Sequence, residues 1–350
     1  MKLNQTSTAV MTANLRASMA DLQAKLLIAQ KEVASGGRVA DVGLHLGNRS
    51  SEVLALRAQF SQLNSLKQAN SGIDIRMSTT QVTLTAIVKD AEELLAQLVG
   101  TRDRTIGSDV IQVQGETKLK ALIELLNTGL DGAHLFSGIN TDQPALVNYY
   151  GSGTPSNKAG IDAAFLAEFG FAQDDPAVEH IDAAAIQAFL NGAFAQRFEE
   201  PAWSTEWSNA SDAVMEDMIS LSEKVPTSVT ANDPALRKLT KAYTMVAELG
   251  IDNLNTHAYS VIVNEATRLI GEAVQEIATV QAHLGNSQER VKLANDKMTR
   301  QIAVLEGRIG DLETVDPYEA STRLMSIMTQ IEVSYQLTAR IQRLSLINHL

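Results

Sequence analysis

Scattered histidines, neighbouring carboxylates and one glycine-rich turn are the features of this 350-residue chain whose residue types and spacing could do chemistry. The six histidines (His45, His134, His180, His257, His283 and His349) include no pair at metal-ligand spacing. There is no His-Glu-x-x-His, no phosphate loop and no Gly-x-Ser-x-Gly elbow. Cysteine is absent, which removes thiolate ligands, disulfides and a thiol nucleophile. Asp131 and His134 stand one turn apart and could form an acid–base couple, yet no nucleophile sits beside them. Glu92-Glu93 and Glu199-Glu200 read as solvated pairs, because adjacent residues on a helix point in different directions. Gly151-Ser-Gly153 begins like a dinucleotide fingerprint but lacks the third glycine and the following helix, and reads as a turn. Asn48-Arg-Ser50 and Asn209-Ala-Ser211 match the glycosylation pattern, too short a signal to assign a role. No catalytic, metal or cofactor site is expected from these residues, and no cofactor or enzyme activity.

Composition narrows the class further. Apolar residues make up 45% of the chain and charged ones 20%, enough for one large domain or two smaller ones. The longest apolar run, 163–167, falls far short of the roughly 20 residues that span a bilayer, so no membrane insertion is expected. The opening Met-Lys-Leu-Asn-Gln-Thr-Ser-Thr lacks the apolar core of a cleaved secretory signal. A net charge of −12 argues against nucleic acid as partner, since phosphate binding needs a basic face. Residues 1–140 carry 14 basic and 13 acidic side chains and residues 236–350 carry 12 and 13, whereas residues 141–235 carry 3 and 15. The prolines and aromatics crowd into the same middle. Two near-neutral arms therefore flank an acidic, aromatic-rich insert.

The arms have the periodicity of paired helices. Leu15, Met19, Leu22, Leu26, Ala29 and Val33 step by 4, 3, 4, 3 and 4, a heptad seam that Ser35-Gly36-Gly37 ends. After a non-periodic stretch from Arg38 to Asn48, a helix is predicted from Ser50 or Ser51 to Val99, about 75 Å at 1.5 Å per residue. A third is predicted from Ser108 to Leu130. In the C-terminal arm Asp233-Pro234 supplies an N-cap and a first-turn proline, and helix continues to Leu284 with Gly250 and Gly271 as weak points. From there Gln288, Val291, Asn295, Met298, Ile302, Leu305, Ile309 and Leu312 keep a heptad. Asp316-Pro-Tyr-Glu319 restarts the helix as a capping-box variant, and Ile327, Ile331, Leu337, Ile341 and Leu344 carry the last stripe. Terminal helices of this kind gain most of their stability from packing. Leu15, Met19, Leu22, Leu26, Ile302, Leu305, Ile309, Leu312, Ile327, Ile331, Leu337, Ile341 and Leu344 are therefore the candidate assembly interface, completed by each other and by neighbouring subunits.

In the insert, Val147-Asn-Tyr-Tyr150 before Gly151-Ser-Gly-Thr-Pro155 reads as a strand entering a turn. Its phenylalanines, with Trp203 and Trp207, suit the core of a small α+β domain better than a ligand groove. The fold class expected is mainly α: a long antiparallel helical bundle or coiled coil formed by both arms, with a small α+β insert. The expected divisions are 1–50, 51–140, 141–232, 233–315 and 316–350.

Three stretches, in this order, resemble the bacterial flagellin family. Asn14-Leu-Arg through Ala34-Ser-Gly-Gly-Arg38 is similar to the family's N-terminal helix and its Ser-Gly-x-Arg turn. Leu135-Phe-Ser-Gly-Ile-Asn-Thr-Asp-Gln-Pro144 and the end, Ser334-Tyr-Gln-Leu-Thr-Ala-Arg through Ser345-Leu-Ile-Asn-His-Leu350, look like the members at the hook–filament junction. The departure is at Asp41-Val-Gly-Leu-His-Leu-Gly-Asn-Arg, where the family often has Asp-Asp or Ser-Asp-x-Pro. The resemblance implies a structural, extracellular part of the flagellum, exported without a cleaved signal peptide by type III export. It implies a homo-oligomeric ring with a hook-associated protein below it and flagellin above it, and a flagellar export chaperone. A filament flagellin, or a surface binding module on flagellin-like helices, is the alternative.

Overall fold

A computed structural model describes residues 3–101 and 107–347, with side chains from Val10 to Arg340 apart from positions 12, 44, 45 and 102–106. The order is α1 (Leu3–Ala34), α2 (Val42–Leu46), α3 (Ser50–Gly100), α4 (Ser108–Leu126), β1 (Gly129–Leu130), β2 (Ala133–His134), α5 (Ser156–Phe169), α6 (Ala183–Asn191), α7 (Ala193–Gln196), β3 (Glu216–Met218), β4 (Lys224–Pro226), α8 (Pro234–Glu248), α9 (Thr256–Glu313) and α10 (Pro317–Ile347). The fold is mainly helical, with two antiparallel hairpins, β1–β2 and β3–β4. Contacts divide it into two units: Met1–Ser65 with Lys297–Leu350, and Leu66–Asp296.

The first unit pairs α1 with α10. Helix α1 stops because Gly36 and Gly37 take positive φ (74° and 97°). The chain is then strapped to the α9–α10 break: Val39 N donates to the Glu313 carbonyl at 2.8 Å and Val315 N to that of Gly37 at 2.6 Å. A Cβ on Gly37 would lie 2.6 Å from the Val315 oxygen, so no other residue fits that approach. Asp316 caps α10 by accepting from Tyr318 N at 2.8 Å. Glu319 does not close the expected box; its carboxylate turns to Arg323 at 2.7 Å. Between α1 and α3 the stretch expected to be irregular contains α2 and a 3-10 turn at 47–49.

The second unit is built on one core. Met77, Leu84, Ile87, Leu94 and Leu98 on α3 join Leu119, Leu122 and Leu126 on α4, Leu239 and Val246 on α8, and Ile262, Ile270 and Ile277 on α9. Phe165, Phe189, Phe194, Trp203 and Trp207 belong to the same cluster. The change of charge and aromatic content at 141 and 232 therefore marks no break in the core. Trp207 stacks between Tyr149 (5.5 Å) and Trp203 (5.9 Å), and Trp203 Nε1 donates to Asn232 Oδ1 at 2.7 Å.

Several expected elements differ. The third helix ends at Leu126, and Gly129–Leu130 pairs with Ala133–His134 around Asp131 (φ 53°) and Gly132 (φ 83°). An Asp-Gly pair with both residues at positive φ is the favoured two-residue hairpin turn, which outweighs helix continuation. Gly271 does not interrupt α9, whereas Gly250 stands in a real break between α8 and α9. Val147–Tyr150 is not a strand; Val147 N donates to the Trp207 carbonyl, and the next residues turn. A helix does follow Gly153, beginning at Ser156.

Candidate assembly interface

Helix α1 offers α10 the seam that its heptads describe. Ala29 is buried, and Leu15, Met19, Leu22, Leu26 and Val33 are half-buried. The facing positions of α10 are Ala320 and Ile327, both buried, and Leu324, Ile331, Ser334 and Thr338, half-buried. They step by 4, 3, 4, 3 and 4, matching the partner's period. The apolar character fades toward the C-terminal end of α10. There Thr338 reaches Met19 Sδ at 4.0 Å, and Gln23 Nε2 reaches the Tyr335 hydroxyl at 3.5 Å.

The seam also encloses charge. Glu32 is 4% exposed; its Oε2 accepts no hydrogen bond and lies 3.6 Å from Arg323 Nη1. In the same unit Arg57 makes a bidentate pair with Glu313 at 2.9 and 2.8 Å, and this hydrogen-bonded carboxylate raises the guanidinium pKa. Ile302 and Leu305 are buried and Ile309 and Leu312 half-buried within the unit.

Ten of the thirteen candidate interface residues are thus covered, in whole or part, by the chain itself. Leu337 is not, at 47% exposure. The step from Ile331 to Leu337 is six residues, which turns the side chain well away from the seam. The seam runs instead through Ser334 and Thr338, polar residues that a search for apolar periodicity passes over. Ile341 and Leu344 lie outside the residues whose side chains are described.

Leu337 is one of several apolar side chains left facing out on α10. Met325 (70%), Met328 (54%), Val333 (55%) and Tyr335 (53%) are also exposed. Leu26, Met325, Met328, Ile331 and Tyr335 line an open groove of about 610 Å³. Flexible methionine side chains fit irregular partner surfaces, so the groove can accept a helix without demanding one shape. These outward residues were not among those predicted, apart from Leu337; the cluster Met325, Met328, Val333 on one short stretch is the signal that marks them.

Among the described residues the side chains weighed for chemistry are not brought together. His134 Nδ1 contacts the Asn127 carbonyl at 2.8 Å rather than Asp131. Glu93 binds Lys118 at 2.7 Å, a hydrogen bond that lowers its pKa, and Glu200 pairs with Arg237 at 3.2 Å. Among the described residues no three acidic or imidazole side chains cluster as metal ligands, and no helix is long and apolar enough to cross a membrane.

Comparison with known proteins follows the same outline. No match is found among curated proteins. A solved structure assigned as a flagellar hook-associated protein from Vibrio parahaemolyticus aligns with 76% of this chain and 97% of its own, at a TM-score of 0.51 and 10% identity, a likeness of fold. The model of the bacterial flagellin N-terminal helical region matches residues 6–141, and that of the flagellin C-terminal helical region matches residues 267–350. With more than half its length matched at both ends, and those ends forming the paired α1 and α10, the chain belongs to the bacterial flagellin family.

Proposed function

We propose that the chain is the junction component between the flagellar hook and the filament. Membership of the family makes it a structural flagellar part. The finer reading rests on one observation: Leu135–Pro144 and the closing Ser345-Leu-Ile-Asn-His-Leu350 are similar to the junction members and differ from the end of filament flagellins. The outward apolar face of α10 supports assembly, because five large apolar side chains on one helix expose surface that a neighbour would take out of water.

In this reading copies form a ring, with a hook-associated protein below and flagellin above. The terminal arms line the inside, and the acidic residues 141–232 face outward. Export follows the flagellar type III route, and a chaperone covers the C-terminal stripe beforehand. No catalytic step is involved.

Electron microscopy of a deletion strain tests it. Hooks without filaments, with unpolymerised flagellin in the medium, are the expected picture. Normal filaments in that strain sink the junction reading, and loss of the most abundant filament protein assigns the chain as filament flagellin instead.

A further inference from the structure

Four aromatic rings make an unbroken path from the core to the surface. Trp203 and Trp207, the chain's two tryptophans, are fully buried and stack 5.9 Å apart with their planes at 11°. Trp207 stacks on the buried Tyr149 at 5.5 Å, and Tyr149 meets Tyr150 edge-on at 5.2 Å. Tyr150 is the ring of the four that reaches water, at 37% exposure. Indoles and phenols give up a single electron most readily once thiols are absent, and rings in contact exchange it quickly. Trp207 also meets Phe198 at 5.1 Å, but a phenyl ring is far harder to oxidise, so that branch is closed.

Charge and protons decide where an electron hole comes to rest. Arg237 Cζ lies 5.4 Å from the centre of the Trp203 ring and Lys158 Nζ 5.4 Å from that of Tyr149, so both rings disfavour a positive hole. Trp207 Nε1 is buried without a hydrogen bond, and Trp203 Nε1 donates to the Asn232 amide oxygen, a poor base. Neither oxidised indole can shed its proton, and the hole stays mobile. Tyr150 differs. Its hydroxyl donates to Glu248 Oε1 at 3.0 Å, and Lys158 holds the other oxygen of that carboxylate at 2.8 Å. An oxidised phenol is strongly acidic, so its proton passes to Glu248 and leaves a neutral radical that migrates no further.

We propose that Trp207, Tyr149 and Tyr150 form a relay that carries photo-oxidation of the buried indoles to Tyr150 at the surface. The photo-excited indole loses one electron to dissolved oxygen, which becomes superoxide. An electron then moves from Tyr150 through Tyr149 to Trp207 and restores the indole, while the Tyr150 O–H proton moves to Glu248. A solvent reductant such as ascorbate returns the electron to Tyr150, and Glu248 returns the proton. Nothing in this relay depends on assembly.

A laser flash at the red edge of the ultraviolet band, where indole absorbs and phenol does not, tests it on the full-length protein in oxygenated buffer. Trp203 and Trp207 are the only indoles, so the first radical is theirs. Indole-radical absorbance is expected to decay as phenoxyl absorbance rises. Tyr150→Phe should lengthen the indole-radical lifetime at least ten-fold and remove the phenoxyl signal. Glu248→Gln, which takes away the base, should slow the transfer at least ten-fold. Tyr318→Phe, at an exposed tyrosine outside the relay, should leave both signals unchanged. Melting temperatures are compared throughout. Peptide mapping of irradiated wild-type protein without reductant needs no variant and should find the modified tyrosine at position 150. No phenoxyl rise, an indole-radical lifetime untouched by Tyr150→Phe or by Glu248→Gln, or modification mapped to another tyrosine overturns the proposal. A full phenoxyl signal in Tyr150→Phe puts the radical on Tyr149 and overturns the assignment of Tyr150.

Discussion

Asn70 and Asn295 share a hydrogen bond of 2.9 Å across the seam between α3 and α9, with Asn70 fully buried. The Asn70 amide also donates to the Ile219 carbonyl at 2.8 Å, at the end of β3. Above it on α3 the seam is Ile73, Met77, Leu84 and Ile87. One amide among these apolar side chains fixes which turn of α3 meets which turn of α9, since any slip would bury it unpaired. Asn70→Ala is expected to cost about 1–3 kcal/mol by removing the buried donor that serves the Ile219 carbonyl and Asn295 Oδ1. In a double-mutant cycle with Asn295→Ala, urea unfolding should show a coupling of about 1 kcal/mol. Strictly additive losses would mean that the pair does not act as a unit.

Glu32 gives the opposite sign. Its carboxylate is buried in the α1–α10 seam at 3.6 Å from an arginine that already has Glu319 at 2.7 Å. Glu32→Leu removes a desolvated charge and leaves Arg323 paired, so stability should hold or rise by about 1 kcal/mol. Chemical denaturation monitored by helical circular dichroism checks this. A loss of more than about 2 kcal/mol would show that Arg323 depends on Glu32.

The tyrosines predict behaviour in alkali. Burial raises the pKa of Tyr149, with the charge of Glu248 adding to it, and burial likewise raises that of Tyr243, helped by Asp90 and Glu93. A raised folded-state pKa means the unfolded chain releases these protons first. Their contribution is present below the unfolded value near 10 and is lost as pH climbs above it. Phenolate absorbance from these residues should appear together with unfolding, not before it. Full titration in a chain that keeps its helical signal would contradict this.

Two substitutions on α10 separate folding from assembly. Leu337→Asp places a carboxylate in water and should leave the melting temperature unchanged while abolishing incorporation into flagella. Ile327→Asp buries an unpaired charge in the seam and should lower stability by several kcal/mol. Export of each variant is measured separately, because a lost chaperone contact would imitate an assembly defect. A secreted Leu337→Asp protein that still supports filaments would remove this face from the assembly surface.

Helices with full heptads were legible in the sequence, down to the stop at Gly36-Gly37 and the cap at Asp233, whose Oδ1 accepts from Ala235 N at 2.9 Å. Periodicity sufficed because side chains on one face recur every three or four residues whatever they pack against. It failed where the seam itself is polar: Ser334 and Thr338 hold positions that Leu337 was expected to fill. The β1–β2 hairpin is signalled by Asp131-Gly132, whereas Asp131 was weighed only as an acid–base partner of His134. The tie between Gly37 and Val315 joins residues almost three hundred positions apart, and no local pattern announces it.

The aromatic residues of the acidic middle share one core with α3, α4, α8 and α9. Such a middle is no cassette. A chimera cut at 141 and 232, with a relative's middle grafted between, would meet the foreign side chains of another protein along the cut faces of Leu122, Leu126, Leu239 and Val246. Diversification compatible with that core is therefore confined to stretches whose side chains point away from it, such as the tip of the β3–β4 hairpin around the exposed Leu221. Whatever varies on the outside of this molecule must vary in the skin and leave the joinery alone.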